Sequence, residues 1–184
     1  MEKKELRQLY IEKRKQLSEV EKQKGQENIY QQIFELNFDD IQTVHIFLSL
    51  KRFNEIDTRP IIDFLRGKNI KIIVPKCNFE DNTLSHYYYD ENTKLAVNKF
   101  GVFEPIDSEQ VSEKKLDLIF VPLLISDENN YRVGYGKGFY DKFLANCRKD
   151  AKKIGLNFFE PIHTIKDLHS FDISLDSVIF PTLA

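Results

Sequence analysis

Apolar residues follow helical spacing in some stretches of the chain and form short strand-like runs in others. Residues 2–17 are charged and helical in pattern, with Leu6, Leu9, Tyr10 and Leu17 on a partial apolar stripe. Ser18, followed three residues later by Glu21, has the form of a capping box. A second helix is expected over about 19–36, with Ile29, Ile33 and Phe34 on its inner face. "VHIFLSL", 44–50, is rich in strand formers. "DTRPIIDFLRG", 57–67, reads as a short helix: Asp57 or Thr58 is placed to cap it, Pro60 lies in its first turn and Gly67 stops it. "IKIIVP", 70–75, is almost continuously apolar, as a parallel strand covered on both faces requires. "TLSHYYYD", 83–90, reads as another strand, with antiparallel pairing open to it, and "KLAVNKFGVFEP", 94–105, as irregular. "LDLIFVPLLI", 116–125, is the clearest buried strand. A helix follows at about 139–149, with Phe139, Phe143 and Leu144 inward and Cys147 one turn on, and strands are expected at 152–159 and 175–181.

This alternation predicts a three-layer α/β/α protein: a mostly parallel, mixed central sheet with helices on both faces. One domain over 1–184 is expected, with the helical segment 2–36 packed on it. A chain of 184 residues buries roughly two thirds of its unfolded surface, so it needs no staples. Cys77 and Cys147 lack a CxxC spacing, which fits a reducing, cytoplasmic compartment. The start "MEKKELRQLY" has no apolar core of a signal peptide, and the run "LIFVPLLI" is far too short for a membrane span, so no membrane partner is expected. A formal net charge of −2 argues against a general nucleic-acid binder, yet leaves room for a local basic pocket.

That pocket has a candidate in "YRVGYGKGFYDKFL", 131–144, where Gly134, Gly136 and Gly138 stand at every second position with Lys137 among them. Glycine opens positive φ and removes the Cβ. Alternating glycines let successive N–H groups turn inward as an anion nest, and the following helix adds its N-terminal N–H groups. A tight turn that clears a packed helix explains the same spacing. Neither common nucleotide fingerprint fits: the third glycine comes one residue too early for G-x-G-x-x-G, and Phe139 stands where a Walker A loop has its hydroxyl. Asp141, at the start of the helix, suits either Mg²⁺ or the helix N-terminal charge. Tyr140 suits either a ligand or the core. The four histidines show no zinc spacing, and no G-x-S-x-G elbow occurs.

With these motifs the chain resembles the 5-formyltetrahydrofolate cyclo-ligase (5,10-methenyltetrahydrofolate synthetase) family. "RVGYGKGFYDKFL" is similar to its Arg-Leu-Gly-x-Gly-x-Gly-Tyr-Tyr-Asp pattern, and "KKELRQLYIEKRKQLS", "FLSLKRFNEIDTRPIIDFL", "IIVPK", "FGVFEP", "DLIFVPLL" and "KKIGLNFFE" resemble further blocks in the family's order. The resemblance covers nearly the whole chain. It implies a fold similar to sugar-phosphate isomerases and CoA-transferases. It also implies a ligase of one-carbon metabolism that couples ATP and Mg²⁺ to cyclisation of 5-formyltetrahydrofolate. A monomer is expected, with a homodimer as the alternative.

The resemblance also implies roles. Lys3 and Arg7 reach ATP phosphates; Arg132, Lys137 and Tyr140 carry the catalytic electrostatics; Gly134, Tyr135, Gly136, Lys137, Gly138, Phe139, Tyr140 and Asp141 line the nucleotide. Glu55 binds the pterin or formyl region, with Leu50, Phe53, Lys76, Phe103, Glu104 and Tyr140 around the folate, and Asp141 and Asp172 serve the metal. Glu104 is also open to a role as turn stabiliser, and the family's aromatic often falls nearer Phe100 than Phe103. There are departures. The family's Pro-Gly-Val/Leu-Ala-Phe-Asp becomes "VPLLISDENNYRVG", with Leu123 for the glycine and Ser126 for the phenylalanine. Pro161 replaces a glutamine, and Phe171 takes a histidine's place beside His169. These leave a non-catalytic nucleotide- or folate-binding protein as the alternative. A sugar-phosphate enzyme would leave Glu55 and the basic first helix unexplained.

Overall fold

The computed structural model describes residues 1–182. Helices α1 (Lys3–Gln16) and α2 (Glu19–Phe34) precede β1 (Thr43–His45). A 3-10 turn over Lys51–Phe53 and α3 (Arg59–Gly67) lead to β2 (Lys71–Asn78), which doubles back as β3 (Thr83–Tyr88). The strands β4 (Lys94–Val97), β5 (Phe103–Ile106), β6 (Gln110–Val111), β7 (Leu118–Pro122), β8 (Ile125–Ser126) and β9 (Arg132–Val133) follow. Then come α4 (Phe139–Asn146), β10 (Lys152–Leu156) and β11 (Ser177–Ile179).

Among the described residues the central sheet has seven strands in the order β11-β10-β7-β1-β2-β3-β6. The strands from β11 to β2 are parallel, and β3 runs antiparallel between β2 and β6. The parallel strands need cover on both faces. On one face Ile29 and Ile33 of α2 and Ile61, Ile62 and Leu65 of α3 pack on Val44, Ile72, Val74, Leu118 and Phe120. On the other, Phe143 and Leu144 of α4, with Cys147, pack on Ile73, Ile119 and Val121. The expected mixed sheet with helices on both faces is therefore present.

The two N-terminal helices part company. Ser18 and Glu21 form the capping box that starts α2, whose inner face joins the sheet. The buried Leu6 and Tyr10 of α1 instead meet Leu124, Ile125 and Val133, just past the carboxyl end of β7. Leu9 lies toward solvent, and Phe34 is 38% exposed, stacked on Phe64 at 4.2 Å, so neither occupies the inner face expected of it.

Four expected elements are corrected by local chemistry. The strand expected at 44–50 is confined to Thr43–His45; beyond Ile46 the Ser49 and Thr58 hydroxyls take the Ile56 and Phe47 carbonyls that a neighbouring strand would otherwise satisfy. The run 116–125 breaks after Pro122, and Ile125–Ser126 pairs instead with Arg132–Val133. Segment 94–105 is a hairpin rather than irregular: the Asn98 carboxamide accepts from the Phe100 and Val102 N–H groups, and Gly101 takes φ +73°. Helix α4 stops at Asn146, because Cys147 is extended.

A packing constraint ties the Leu123 departure to β10. A Cβ on Gly155 would stand 2.6 Å from Leu123 Cδ2 and 2.7 Å from Leu175 Cδ1. The missing side chain makes room for the buried leucine that replaces the family's glycine. Gly155→Ala is expected to lose about 1–3 kcal/mol of stability in urea unfolding through overpacking. Unchanged stability would show that the two leucines can retreat.

Candidate active site

Strand order reverses between β1 and β7. From β1 the chain moves to β2 on one side, while β7, β10 and β11 extend the sheet on the other. The crevice beyond the carboxyl ends of such a pair is where open α/β sheets bind ligands. The segment after β1 supplies Glu55, and the segment after β7 supplies the glycine loop.

The loop runs from Gly134 to Gly138 and ends in α4, whose N-cap Gly138 has φ +74°. Gly136 has φ +91°, and a Cβ there would lie 2.9 Å from Arg7 Cζ. Both positions favour glycine for the backbone alone. Gly134 has ordinary φ, and a Cβ on it would meet open space, so neither its backbone nor its protein packing requires glycine. Lys137 is exposed at the rim. Arg7 Nε donates to the Gly134 carbonyl at 3.0 Å, which fixes α1 against the loop.

Two carboxylate–cation pairs flank this contact. Arg132, 8% exposed, donates to Asp141 Oδ1 at 2.8 Å and to the Ile173 carbonyl. Burial holds its pKa below the ordinary value, with the Asp141 carboxylate acting in the opposite direction. Lys3 Nζ pairs with Asp172, while the Lys3 N–H donates to Asp167 Oδ1 at 2.6 Å. Burial would raise the Asp172 carboxyl, but the bonds from Lys3 and the His169 N–H outweigh it and hold it below the ordinary range. Lys4 is exposed, so the basic pair of the first turn is Lys3 and Arg7.

Glu55 is held on both oxygens: Leu50 N–H donates to Oε2 at 2.7 Å and Tyr135 Oη to Oε1 at 2.8 Å. Burial pushes its carboxyl upward, against these donors and the charges of Arg14 and Arg52. Phe53 lies 4.7 Å from the Tyr135 ring. Tyr140 has a buried hydroxyl with no protein partner among the described residues, and burial drives its acidity down. Phe139 meets Phe79 edge-on at 5.6 Å, and Phe79 packs on Phe100 at 4.1 Å. Phe103 is 47% exposed and outside that cluster, so Phe100 is the aromatic nearer the loop. Lys76 stands half-buried on β2 opposite Ser85. Glu104 accepts from Cys77 N–H and Asn98 Nδ2 at 3.1 and 2.9 Å, which makes it the turn stabiliser of the hairpin.

Sequence reasoning missed three residues. Arg14 is 3% exposed and donates to Tyr135 Oη and the Leu123 carbonyl. Its signal was spacing: Lys3, Arg7 and Arg14 share the face of α1 that carries Leu6 and Tyr10. His45 and His86 meet beneath Tyr140, Nδ1 of His86 lying 3.2 Å from Nε2 of His45, and both rings touch Phe143.

The comparisons with known proteins decide what this crevice belongs to. The model of the 5-formyltetrahydrofolate cyclo-ligase family matches residues 1–181. The chain belongs to that family. An Escherichia coli 5-formyltetrahydrofolate cyclo-ligase is 30% identical over 76% of this chain and 78% of its own. A solution structure of the Aquifex aeolicus 5,10-methenyltetrahydrofolate synthetase superposes with TM-score 0.82 at 30% identity, covering 98% of this chain and 90% of that one. The Mycoplasma pneumoniae synthetase gives 0.77 at 25% identity, covering 97% and 98%.

The positions at which this chain departs from the family pattern differ in their surroundings. Leu123 fills the space over Gly155, Ser126 is fully buried, and the residue after Pro161 forms a bridge to Asp127. Phe171 is 66% exposed and stacks on His169. Among the described residues no helix is long and apolar enough to cross a membrane, and no three His, Cys, Asp or Glu side chains form a metal cluster.

Burial holds both histidines below their usual pKa, His86 at about 4 against 6.5. The unfolded chain therefore binds more protons between those values, and stability falls as pH drops through that window. Urea unfolding from pH 7 to 4 is expected to show this loss, with a shallower slope in His86→Gln. An equal slope would mean the pair remains neutral for another reason, or is already solvated.

Proposed function

We propose that this family member closes 5-formyltetrahydrofolate to 5,10-methenyltetrahydrofolate, converting ATP to ADP and phosphate. The observation that carries the reading is the 2.8 Å bond between Tyr135, inside the glycine loop, and Glu55, in the loop after β1. It sets a candidate phosphate cradle beside a candidate pterin-binding carboxylate at the switch point of the sheet.

The residues fit the groups. Gly134 and Gly138 open onto free space, and Arg7, Lys137 and the first turn of α4 supply positive ends for phosphate. Asp141 and Asp172 are each engaged through one oxygen, which leaves the other for a divalent ion held chiefly by phosphate. Bound magnesium would neutralise charge on the transferring phosphoryl group.

In the proposed sequence the formyl oxygen attacks the γ-phosphorus and the bond to ADP breaks. N10 then attacks the imine-like carbon, forms the ring and gives up its proton, and phosphate leaves with the C–O electrons. An amide oxygen is a poor leaving group until it is phosphorylated. The chain's part is alignment and charge. Arg7 and Lys137 offset phosphate charge, the Arg132–Asp141 pair fixes the start of α4, and Glu55 accepts from donors on the pterin edge. The Tyr140 hydroxyl, without a protein partner among the described residues, is free to donate to a bound ligand.

Methenyl product, followed by absorbance on mixing protein, 5-formyltetrahydrofolate and Mg-ATP, is expected to require both nucleotide and divalent ion. Full activity under chelation removes the metal role. No product from folded protein leaves only a binding function. Gly136→Ala, which forces a side chain into positive φ against Arg7, is expected to cost about 100-fold in turnover through displacement of ~1 Å. Glu55→Gln is expected to weaken folate binding by about 1.5–3 kcal/mol and leave Mg-ATP binding nearly unchanged. Equal losses for both ligands would point to misfolding.

A further inference from the structure

We propose that Arg14 is a positioning residue for the folate site: acting through the Tyr135 hydroxyl, it holds Glu55 ionised and in one orientation. The proposal rests on the reading of Glu55 as the pterin-binding carboxylate. Arg14 Nη1 lies 3.1 Å from Tyr135 Oη, Nη2 lies 2.6 Å from the Leu123 carbonyl, and Tyr135 Oη lies 2.8 Å from Glu55 Oε1.

The donors and acceptors fix the direction of this chain. Guanidinium has no acceptor, so Arg14 donates and the phenol oxygen accepts. The single phenol proton is then free to point only at Glu55. The other carboxylate oxygen takes the Leu50 N–H at 2.7 Å. With a donor aimed at each oxygen, these bonds favour the carboxylate and work against the upward push of burial.

Arg14 is also an unusual charge. It is 3% exposed, and among the described residues it has no direct ion-pair partner. A buried cation is costly unless it is compensated. Glu55, reached through one hydroxyl, supplies the compensation. The groups facing Glu55 are Arg14 from α1, Arg52 from the 3-10 turn, Tyr135 from the glycine loop and Tyr140 from α4. Burial pushes the Glu55 carboxyl upward, so losing either member of the relay moves it further up.

The test begins without substrate. The ¹³C carboxyl resonance of Glu55, assigned with Glu55→Gln, is titrated in wild type, Tyr135→Phe, Arg14→Lys and Arg14→Gln. Tyr135→Phe and Arg14→Gln are expected to raise the midpoint by about one pH unit, with Arg14→Lys between them and wild type. Kinetics then follow. Tyr135→Phe keeps the ring and the loop backbone, so KM for 5-formyltetrahydrofolate is expected to rise about tenfold, well beyond any change in KM for ATP, in a variant that still melts cooperatively. The double variant is expected to be no worse than the more damaged single one, as residues in one chain of bonds require. An unshifted Glu55 titration in Tyr135→Phe overturns the proposal, as do additive losses in the double variant. If Arg14→Gln fails to fold, Tyr135→Phe and Arg14→Lys still decide. A shifted titration in a protein that makes no methenyl product would remove the cyclo-ligase reading and leave the relay standing.

Discussion

The guanidinium of Arg7 and the backbone of Gly136 stand closer than any side chain at that position would allow. This contact, together with the packing of Leu6 and Tyr10, ties α1 to the glycine loop, and the arrangement of the candidate site depends on it. With Arg7 bonded to the Gly134 carbonyl, the same helix face brings Lys3 to Asp172 and Arg14 to Tyr135 and Leu123. The sheet layers α2, α3 and α4 pack around a core that does not include α1. The first helix is therefore an added layer beyond the carboxyl end of β7, bonded there by polar groups and packed through Leu6 and Tyr10.

Charge inside that crevice is balanced before any ligand arrives. Arg132 is paired with Asp141, Lys3 with Asp172, and Arg14 is linked to Glu55 through a phenol. Breaking a buried pair costs several kcal/mol, roughly 3–5, because it strands a charge. Among the described residues Arg7 and Lys137 carry no such carboxylate partner; Arg7 is bonded to the Gly134 carbonyl and Lys137 lies exposed at the rim.

Much of this was legible in the chain. The spacing of three glycines with Lys137 marked a tight loop, and two of the three, Gly136 and Gly138, do take positive φ. The continuous apolar runs at 70–75 and 118–122 located the parallel strands, because only two-sided burial tolerates them. Other features were hidden for definite reasons. Arg14 lies on a strongly charged helix whose solvated face masks one inward cation. His45 and His86 are 41 residues apart and meet only because β3 turns back antiparallel along β2, whose other neighbour is β1. The hairpin at 94–106 depends on Asn98 and Gly101 rather than on alternation, so its strands carry little pattern. Glu104 was open to a ligand or a turn role, and its bonds from the Cys77 N–H and the Asn98 carboxamide, absent from any sequence pattern, tie it to the hairpin.

The central claim is that α1 completes a nucleotide site on the glycine loop, and Arg7 is its most exposed point of failure. Calorimetric titration of Mg-ATP into wild type and Arg7→Ala tests it directly, with a thermal melt of each protein as control. Loss of a charge-assisted contact of about 1.5–3 kcal/mol predicts roughly a 10- to 100-fold weaker affinity in a variant that still melts cooperatively. Unchanged affinity in a folded Arg7→Ala protein would contradict the account, leaving α1 as packing and the glycine loop as a turn.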